Sequence, residues 1–191
     1  MVARGLHRYT YADYVALELS SPTKHEFLEG EIYAMAGGSE EHSALAAEVL
    51  RVLGNALGDR PCRVHTSDLR IYVEASGLAT FPDGSIVCGK LEQHPPSPAA
   101  TALNPTVLLE VTSDSSEEYD TGEKLARYRT IPSLRDYVVV SHRERRITVH
   151  QRGADGQWNE RVAIAGGRVE VPSVGATLVV DEVYRASSIK G

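Results

Sequence analysis

The chain has 191 residues, 42% of them apolar, and its 20 Lys and Arg stand against 26 Asp and Glu for a net charge of −6. One soluble domain of this length buries roughly 70% of the surface that its unfolded form exposes, so a core is available without disulfide or metal staples. Cys62 and Cys88 are the only cysteines, with no CxxC pair and no His spaced to complete a zinc site, which excludes a structural zinc and a disulfide framework and makes a reducing, cytoplasmic location the expectation.

At the start of the chain, MVARGLHRYTYADY carries charge and tyrosine where a secretory signal needs an unbroken apolar stretch. No window approaches the roughly 18 apolar residues of a membrane span. Thr10-Tyr-Ala-Asp13 has the form of a capping box with Asp in place of Glu, and Tyr14, Val15, Leu17 and Leu19 predict a short helix ending near Ser20-Ser21-Pro22. The segment from His25 to Met35 reads as a hairpin turning at Glu29-Gly30, with Phe27, Ile32 and Tyr33 on either side of the turn. Next comes the clearest helix, in which Leu45, Val49, Val52, Leu53, Ala56 and Leu57 recur at three- and four-residue steps. Ser39 caps it, Glu40 and Glu41 suit the positive end of its dipole, and Gly58 stops it.

Strands are predicted at Arg63 to Val73, Ser85 to Cys88 and Thr106 to Val111, the last with almost no polar face, as in a strand buried on both sides. Asp68 alternates with apolar neighbours and reads as a salt-bridge partner of Arg70 at a sheet edge. From Gly89 to Asn104, with Pro95, Pro96 and Pro98, runs a long loop, functional or mobile. A second helix is expected from about Thr121 to Arg129, with Asp120 as its N-cap, before Ile131-Pro132 ends it. Tyr137 to Ser141 reads as another buried strand. The tail (Ile147 to Gln151, Trp158 to Ala163, Val169 to Val171, Thr177 to Val180) alternates and turns at glycines as an antiparallel ribbon does.

Charge is unevenly spread. Residues 124–152 hold eight basic side chains against Asp136 and Glu144, so the remainder holds twelve basic against twenty-four acidic. Such a segment is either a polyanion contact or a solvated helix and hairpin balanced by acidic neighbours.

The residues that point to chemistry are a few carboxylates. Asp83 stands at the mouth of an apolar strand, in Phe81-Pro82-Asp83-Gly84-Ser85-Ile86-Val87, and Glu110 stands inside Val107-Leu108-Leu109-Glu110-Val111. A carboxylate in such a strand is costly to bury unless a cation compensates it. If the two strands are neighbours, Asp83 and Glu110 converge on one divalent ion, and Mg2+ suits two carboxylates because it keeps water and leaves positions for a phosphate. Lys124, one of only four lysines, is placed to orient or deprotonate a water or to offset charge in a transition state. Each residue also has a plainer reading: Asp83 as a turn residue between Pro and Gly, Glu110 as half of a buried ion pair or a residue of an exposed edge, Lys124 as a helix-surface lysine. Glu26 is a candidate for a second metal or its water, or else a strand-surface residue. His42 is a candidate to meet a phosphate or a carboxylate, or else structural. Nucleotide-binding glycine loops and the GxSxG elbow are missing from the sequence.

Taken together, Pro82-Asp83, Asn104-Pro105-Thr106-Val-Leu-Leu-Glu110-Val111, Asp120-Thr-Gly-Glu-Lys124-Leu-Ala-Arg-Tyr128 and Pro132-Ser-Leu-Arg-Asp-Tyr137 resemble the Uma-type family of putative endonucleases, within the PD-(D/E)XK nuclease superfamily. Tyr9 to Leu17, His25 to Glu31 and His42 extend the resemblance over roughly residues 8 to 150. It implies an α/β (α+β) domain over 1–191: a restriction-endonuclease-like mixed central sheet flanked by helices, with an N-terminal helix and hairpin, a nuclease core at about 23–141 and a C-terminal antiparallel β extension at about 142–191. It also implies Asp83 and Glu110 as metal ligands and Lys124 as catalytic lysine. The superfamily places that lysine two residues after the acid, where this chain has Thr112, so Lys124 would reach in from the following helix as a migrated lysine. Asp114 replaces a frequent Pro and adds negative charge nearby.

The function expected is a Mg2+-dependent DNA endonuclease, with Mn2+ as substitute, in which Arg127, Arg129, Arg145 and Arg146 track phosphates and a homodimer pairs two such surfaces. The alternatives are a catalytically inactive module of the same fold that binds nucleic acid or protein, and a small-molecule hydrolase with the same metal chemistry.

Overall fold

The computed structural model describes residues 8–94 and 100–190. Helix α1 (Tyr11–Ser20) opens them, and its Thr10 and Asp13 form the expected reciprocal capping box. The hairpin β1 (His25–Leu28) and β2 (Glu31–Ala34) follows, then α2 (Glu40–Leu57), whose first turn is capped by the Ser39 side chain accepting from the His42 N–H. Strands β3 (Cys62–Thr66), β4 (Arg70–Val73), β5 (Leu78–Thr80), β6 (Gly84–Cys88), β7 (Thr101–Ala102) and β8 (Val107–Val111) lead to two short helices, α3 (Glu117–Thr121) and α4 (Glu123–Tyr128). The chain ends with β9 (Asp136–Val140), β10 (Arg146–Arg152), β11 (Trp158–Ile164), β12 (Arg168–Val171), β13 (Ala176–Val179) and α5 (Val180–Val183).

The strands form two sheets and a ribbon rather than one central sheet. One sheet has the order β2-β1-β5-β4-β7, the other β11-β10-β9-β8-β6-β3, and β12 pairs with β13. In the six-stranded sheet only β8 and β9 are parallel; the crossover joining them carries α3 and α4. Strands β10 and β11 extend the same sheet by antiparallel pairing onto β9, so the C-terminal strands complete the central layer.

Alternation along β8 sorts its side chains to opposite faces. Val107, Leu109 and Val111 join Leu45, Val49, Leu53 and Leu57 of α2 and the β12–β13 ribbon in one core. Leu108 joins Leu125 and Tyr128 of α4 and Ile71, Val73 and Leu78 of the five-stranded sheet in a second core. A third, smaller core packs Tyr14 and Val15 of α1 on Phe27 and Ala79. Glu110 shares the Leu108 face and so points at α4 and the five-stranded sheet.

Three expectations are corrected. Arg63 to Val73 is two strands in different sheets, because Ser67-Asp68 turns the chain and Leu69 N–H bonds back to Thr66 C=O. Asp68 pairs with Lys24 at 2.9 Å and not with Arg70. Cys62 and Cys88 face each other across β3 and β6, 3.9 Å apart at Cα, and are joined as a disulfide, where their wide sequence spacing suggested none. Within the loop from Gly89 to Asn104, Thr101–Ala102 pairs in parallel with β4, while Pro95, Pro96 and Pro98 lie outside the described residues. Among the described residues no helix is long and apolar enough to cross a membrane.

Candidate active site

Asp83 occupies the seam between the sheets. The chain leaves β5 in one sheet and enters β6 in the other through Phe81-Pro82-Asp83. Gly84 lets α2 lie directly on the start of β6: a Cβ there would come within 2.4 Å of a Leu50 methyl. Because β6 pairs with β8 in register Gly84↔Leu109, Asp83 falls beside Glu110. The two carboxylates interlock through the backbone. Asp83 Oδ2 accepts from Val111 N–H at 2.7 Å, and Glu110 Oε2 accepts from Asp83 N–H at 3.3 Å.

Lys124 closes the other side. Its Nζ lies 2.9 Å from Glu110 Oε1, 3.0 Å from Glu26 Oε1 and 3.4 Å from Asp120 Oδ1, with side-chain exposure of only 5%. Tyr128 donates to Glu110 Oε1 at 2.9 Å, Thr80 donates to Glu26 Oε1, and the Lys124 ammonium lies 5.5 Å from the Tyr119 ring centroid. On the open side, His42 Nε2 stands 3.1 Å from Asp83 Oδ2, both side chains being 19% exposed. Its ring rests on the Gly38 backbone, where an added Cβ would meet Nδ1 at 2.6 Å.

Electrostatics follow from this packing. Burial pushes the Glu110 carboxyl up to about 8, opposed by Lys124 and reinforced by Asp120 and Asp83. Burial also raises Asp120. Burial works against the Lys124 charge, yet Glu110, Glu26 and Asp120 outweigh it and hold the ammonium well above its ordinary range. The hydrogen bond to Asp83 raises His42 against the opposing effect of its burial. Burial lifts Tyr119 to about 12. Four carboxyl groups thus gather around one lysine and one histidine, and a further cation beside Asp83 and Glu110 would favour their ionised forms. Among the described residues no three His, Cys, Asp or Glu side chains form a group able to hold a metal by themselves. Asp83 and Glu110 offer two hard oxygen donors, a set that suits Mg2+, which retains water in its remaining positions.

Asp83, Glu110, Lys124, Glu26 and His42 therefore meet in one place. The four arginines do not join them. Arg127 faces Glu29 at 3.9 Å and Glu123 at 3.6 Å, and Arg129 lies over the Trp158 ring. Arg145 donates to the Ile189 carbonyl and faces Asp181, and Arg146 pairs with Glu144. Thr112 is buried, with its Oγ1 2.8 Å from His142 Nδ1, while Asp114 is turned outward to His142 and Arg143.

Sequence reasoning missed Asp120 as a site residue. The expected helix is α4, which starts only at Glu123, and Asp120 lies inside the separate preceding helix α3, from which it presents a carboxylate to Lys124 instead of capping a helix. The signal was present in the four-residue steps from Asp120 to Lys124 to Tyr128, a spacing that brings side chains together even though Gly122 separates α3 from α4. Thr80 and Tyr119, which touch Glu26 and Lys124, carried no comparable signal.

Two sheets with interleaved helices and an acidic cluster around a buried lysine define a nuclease-like α+β domain. The fold matches that of a putative nuclease belonging to DUF820 from Anabaena variabilis with a TM-score of 0.70 at 19% identity, over 90% of this chain and 97% of that one. The chain belongs to the Uma2 family, described as a putative restriction endonuclease family, whose model matches residues 11–180. Two uncharacterized proteins of Synechocystis sp. are similar along most of their length. One, slr1290, is 33% identical over 173 residues, covering 91% of this chain and 90% of its own; the other, sll1609, is 32% identical over 158 residues, covering 83% and 89%.

Proposed function

We propose that this protein is a Mg2+-dependent endonuclease that hydrolyses phosphodiester bonds of DNA, with Asp83 and Glu110 as the metal ligands and Lys124 as a migrated catalytic lysine. The observation that carries the reading is the interlock of Asp83 with Glu110 and the contact of Lys124 with the latter's second oxygen. When bound, a divalent ion polarises the scissile phosphate and lowers the pKa of a water.

The protein's own groups divide the remaining work. Lys124, held between Glu110, Glu26 and Asp120, would supply positive charge to a phosphorane-like transition state. Tyr128 and Lys124 hold Glu110 Oε1, which leaves Oε2 facing Asp83. His42, at the open rim and hydrogen-bonded to Asp83, is placed to orient that carboxylate or to meet an incoming phosphate. Glu26 and Asp120 fix the ammonium from two further directions.

The test is a cleavage panel of supercoiled, linear and single-stranded DNA with Mg2+, Mn2+ or EDTA. The proposal expects cutting by the wild type that EDTA stops and that Lys124→Met lowers by about a hundredfold or more. DNA binding without cutting in either metal would favour the inactive module. A homodimer belongs to the same reading, and light scattering of the purified protein checks it; the cytoplasmic location was expected from the lack of a disulfide, the Cys62–Cys88 bridge removes that ground, and fractionation of cells decides the location.

A further inference from the structure

Two arginines face each other across adjacent strands of the six-stranded sheet. One step beyond the pair Asp136↔Gln151, Arg152 N–H donates to Arg135 C=O at 2.8 Å, so Arg135 and Arg152 stand opposite each other at the ends of β9 and β10. By alternation Arg135 shares the face of Tyr137, which packs on Tyr128 of α4. Arg152 is paired in turn with Trp158 on β11. Its Cζ lies 4.9 Å from the Trp158 ring centroid, and that of Arg129, the residue after α4, lies 5.7 Å from it. Three arginines and one indole thus share a patch in which Arg135 is exposed and the others are half-buried.

Their charges are not matched by contact. Like charges set opposite each other on neighbouring strands destabilise a sheet. Arg127, Arg143, Arg145 and Arg146 each pair with a carboxylate, whereas Arg129, Arg135 and Arg152 form no ion pair among the described residues. Arg152 donates to the carbonyls of Arg129, Ile131 and Pro132, which are acceptors without net charge. The carboxylates of the surroundings are engaged elsewhere or stand apart. Glu160 faces His150, Asp155 accepts from Gln157 N–H, and Asp136 points to the opposite face, where it accepts from Ser173 N–H. Glu74, which shares a cavity with Thr130 and Pro132, pairs with none of the three arginines. Positive charge is therefore presented to solvent, above all at Arg135.

We infer that Arg129, Arg135 and Arg152, gathered around Trp158, contact the sugar-phosphate backbone of the nucleic acid beside the point of cutting. The inference rests on the nuclease reading for the choice of a nucleic acid over another polyanion. Several guanidiniums spread over an open surface, with no enclosing pocket, suit successive phosphates and not a single small anion. The patch also lies within reach of the acidic cluster. Lys124 and Arg129 stand at opposite ends of α4, separated by about 7.5 Å of helix rise, on the order of two nucleotides along a duplex strand. The indole, approached by two guanidiniums, holds them in place by cation–π attraction.

Trp158 is the only tryptophan of the chain, so its emission reports on this patch alone. A duplex oligonucleotide is titrated in EDTA, which prevents cutting, into the full-length protein while Trp158 emission and DNA anisotropy are recorded together at several salt concentrations. The expected result is an emission change that saturates with the anisotropy. Arg135→Ala and Arg129→Gln should each weaken DNA binding by roughly three- to tenfold at about 0.1 M salt, and make the salt dependence shallower by about one unit of slope. Because Arg135 is exposed and opposite a like charge, Arg135→Ala should melt no lower than wild type. A merely structural arginine would instead lower the melting temperature and leave the salt slope alone.

DNA binding that leaves Trp158 emission still, wild-type affinity in both variants, or no DNA binding by the wild type overturns the inference. Cleavage by the wild type together with unchanged affinity in both variants would sink this inference and leave the nuclease reading intact. A Trp158 response to poly-glutamate equal to that to DNA, charge for charge, would overturn the choice of a nucleic acid in favour of an acidic protein segment. Binding that both variants weaken, in a protein that cuts no DNA with Mg2+ or Mn2+, would support the surface and sink the catalytic reading.

Discussion

Lys124 and Glu110, fourteen residues apart in sequence, meet at 2.9 Å with both side chains 5% exposed, and Glu26 and Asp120 crowd the same ammonium. The arrangement is a buried charge set in which each member is tolerable only because of the others. Removing Lys124 alone leaves carboxylates without compensation, so Lys124→Met should destabilise the fold by about 3–5 kcal/mol. Adding Glu110→Gln should restore part of that loss, because the neutral amide no longer needs the ammonium. Urea unfolding of the two single variants and the double variant measures the coupling. Additive effects would mean that the contact is energetically idle.

His42 owes its place to Gly38. An added methyl group there would meet Nδ1 at 2.6 Å and displace the ring from Asp83. Gly38→Ala should therefore lower metal-dependent cleavage nearly as far as His42→Ala does, with melting temperatures close to wild type, since both positions lie at the open rim. Equal activity of Gly38→Ala and wild type would remove His42 from the working site.

The stability of the domain should fall on mild acidification through His150. This residue is 4% exposed, stacks on Tyr137 with ring centroids 5.9 Å apart and faces Glu160 and Arg129. Burial holds its imidazole below the ordinary His range, and the Glu160 carboxylate only partly offsets this. The unfolded chain then takes up a proton that the folded chain refuses, so this contribution is complete above about pH 6.5 and is lost as pH falls through the lower folded value. Denaturation midpoints at pH 7.5 and pH 5 should differ more for wild type than for His150→Phe. An equal pH dependence in both would contradict this.

The Cys62–Cys88 bridge closes a segment of 26 residues at the edge of the six-stranded sheet. Its reduction should reduce stability by about 2–4 kcal/mol by loosening the unfolded chain's constraint. Cys62→Ser should show the same loss and no further response to reductant. Two free thiols titrating in the native, unreduced protein would contradict the bridge.

The sequence exposed the local elements of this fold far better than their assembly. Capping at Thr10 and Ser39, the turn at Glu29-Gly30 and the apolar run of β8 are written in short-range chemistry, and each appears where expected. The split of Arg63 to Val73 between two sheets depends on pairing partners far along the chain, which a local pattern does not carry. At the site, Glu110 was legible because a carboxylate inside an apolar strand demands an explanation, whereas Asp83 and Lys124, with ordinary readings as a turn residue and a helix-surface lysine, were picked out by the family resemblance. Asp120 and the tyrosines were hidden because an acid near a helix start and an aromatic in a helix each have an ordinary purpose. The basic run from Lys124 to Arg152 shows the converse: most of its arginines meet acidic residues, carbonyls or Trp158, some near in sequence and others far from it, so much of the local charge is balanced in space.

The central claim is that Asp83 and Glu110 form one metal site, and a calorimetric titration of the purified protein with Mn2+ tests it without assuming a substrate. The account predicts saturable binding by wild type and its loss in both Asp83→Ala and Glu110→Ala, with circular dichroism showing that each variant stays folded. Failure of the wild type to bind Mn2+ at millimolar concentration, with or without DNA, would contradict the account. So would binding that survives both substitutions.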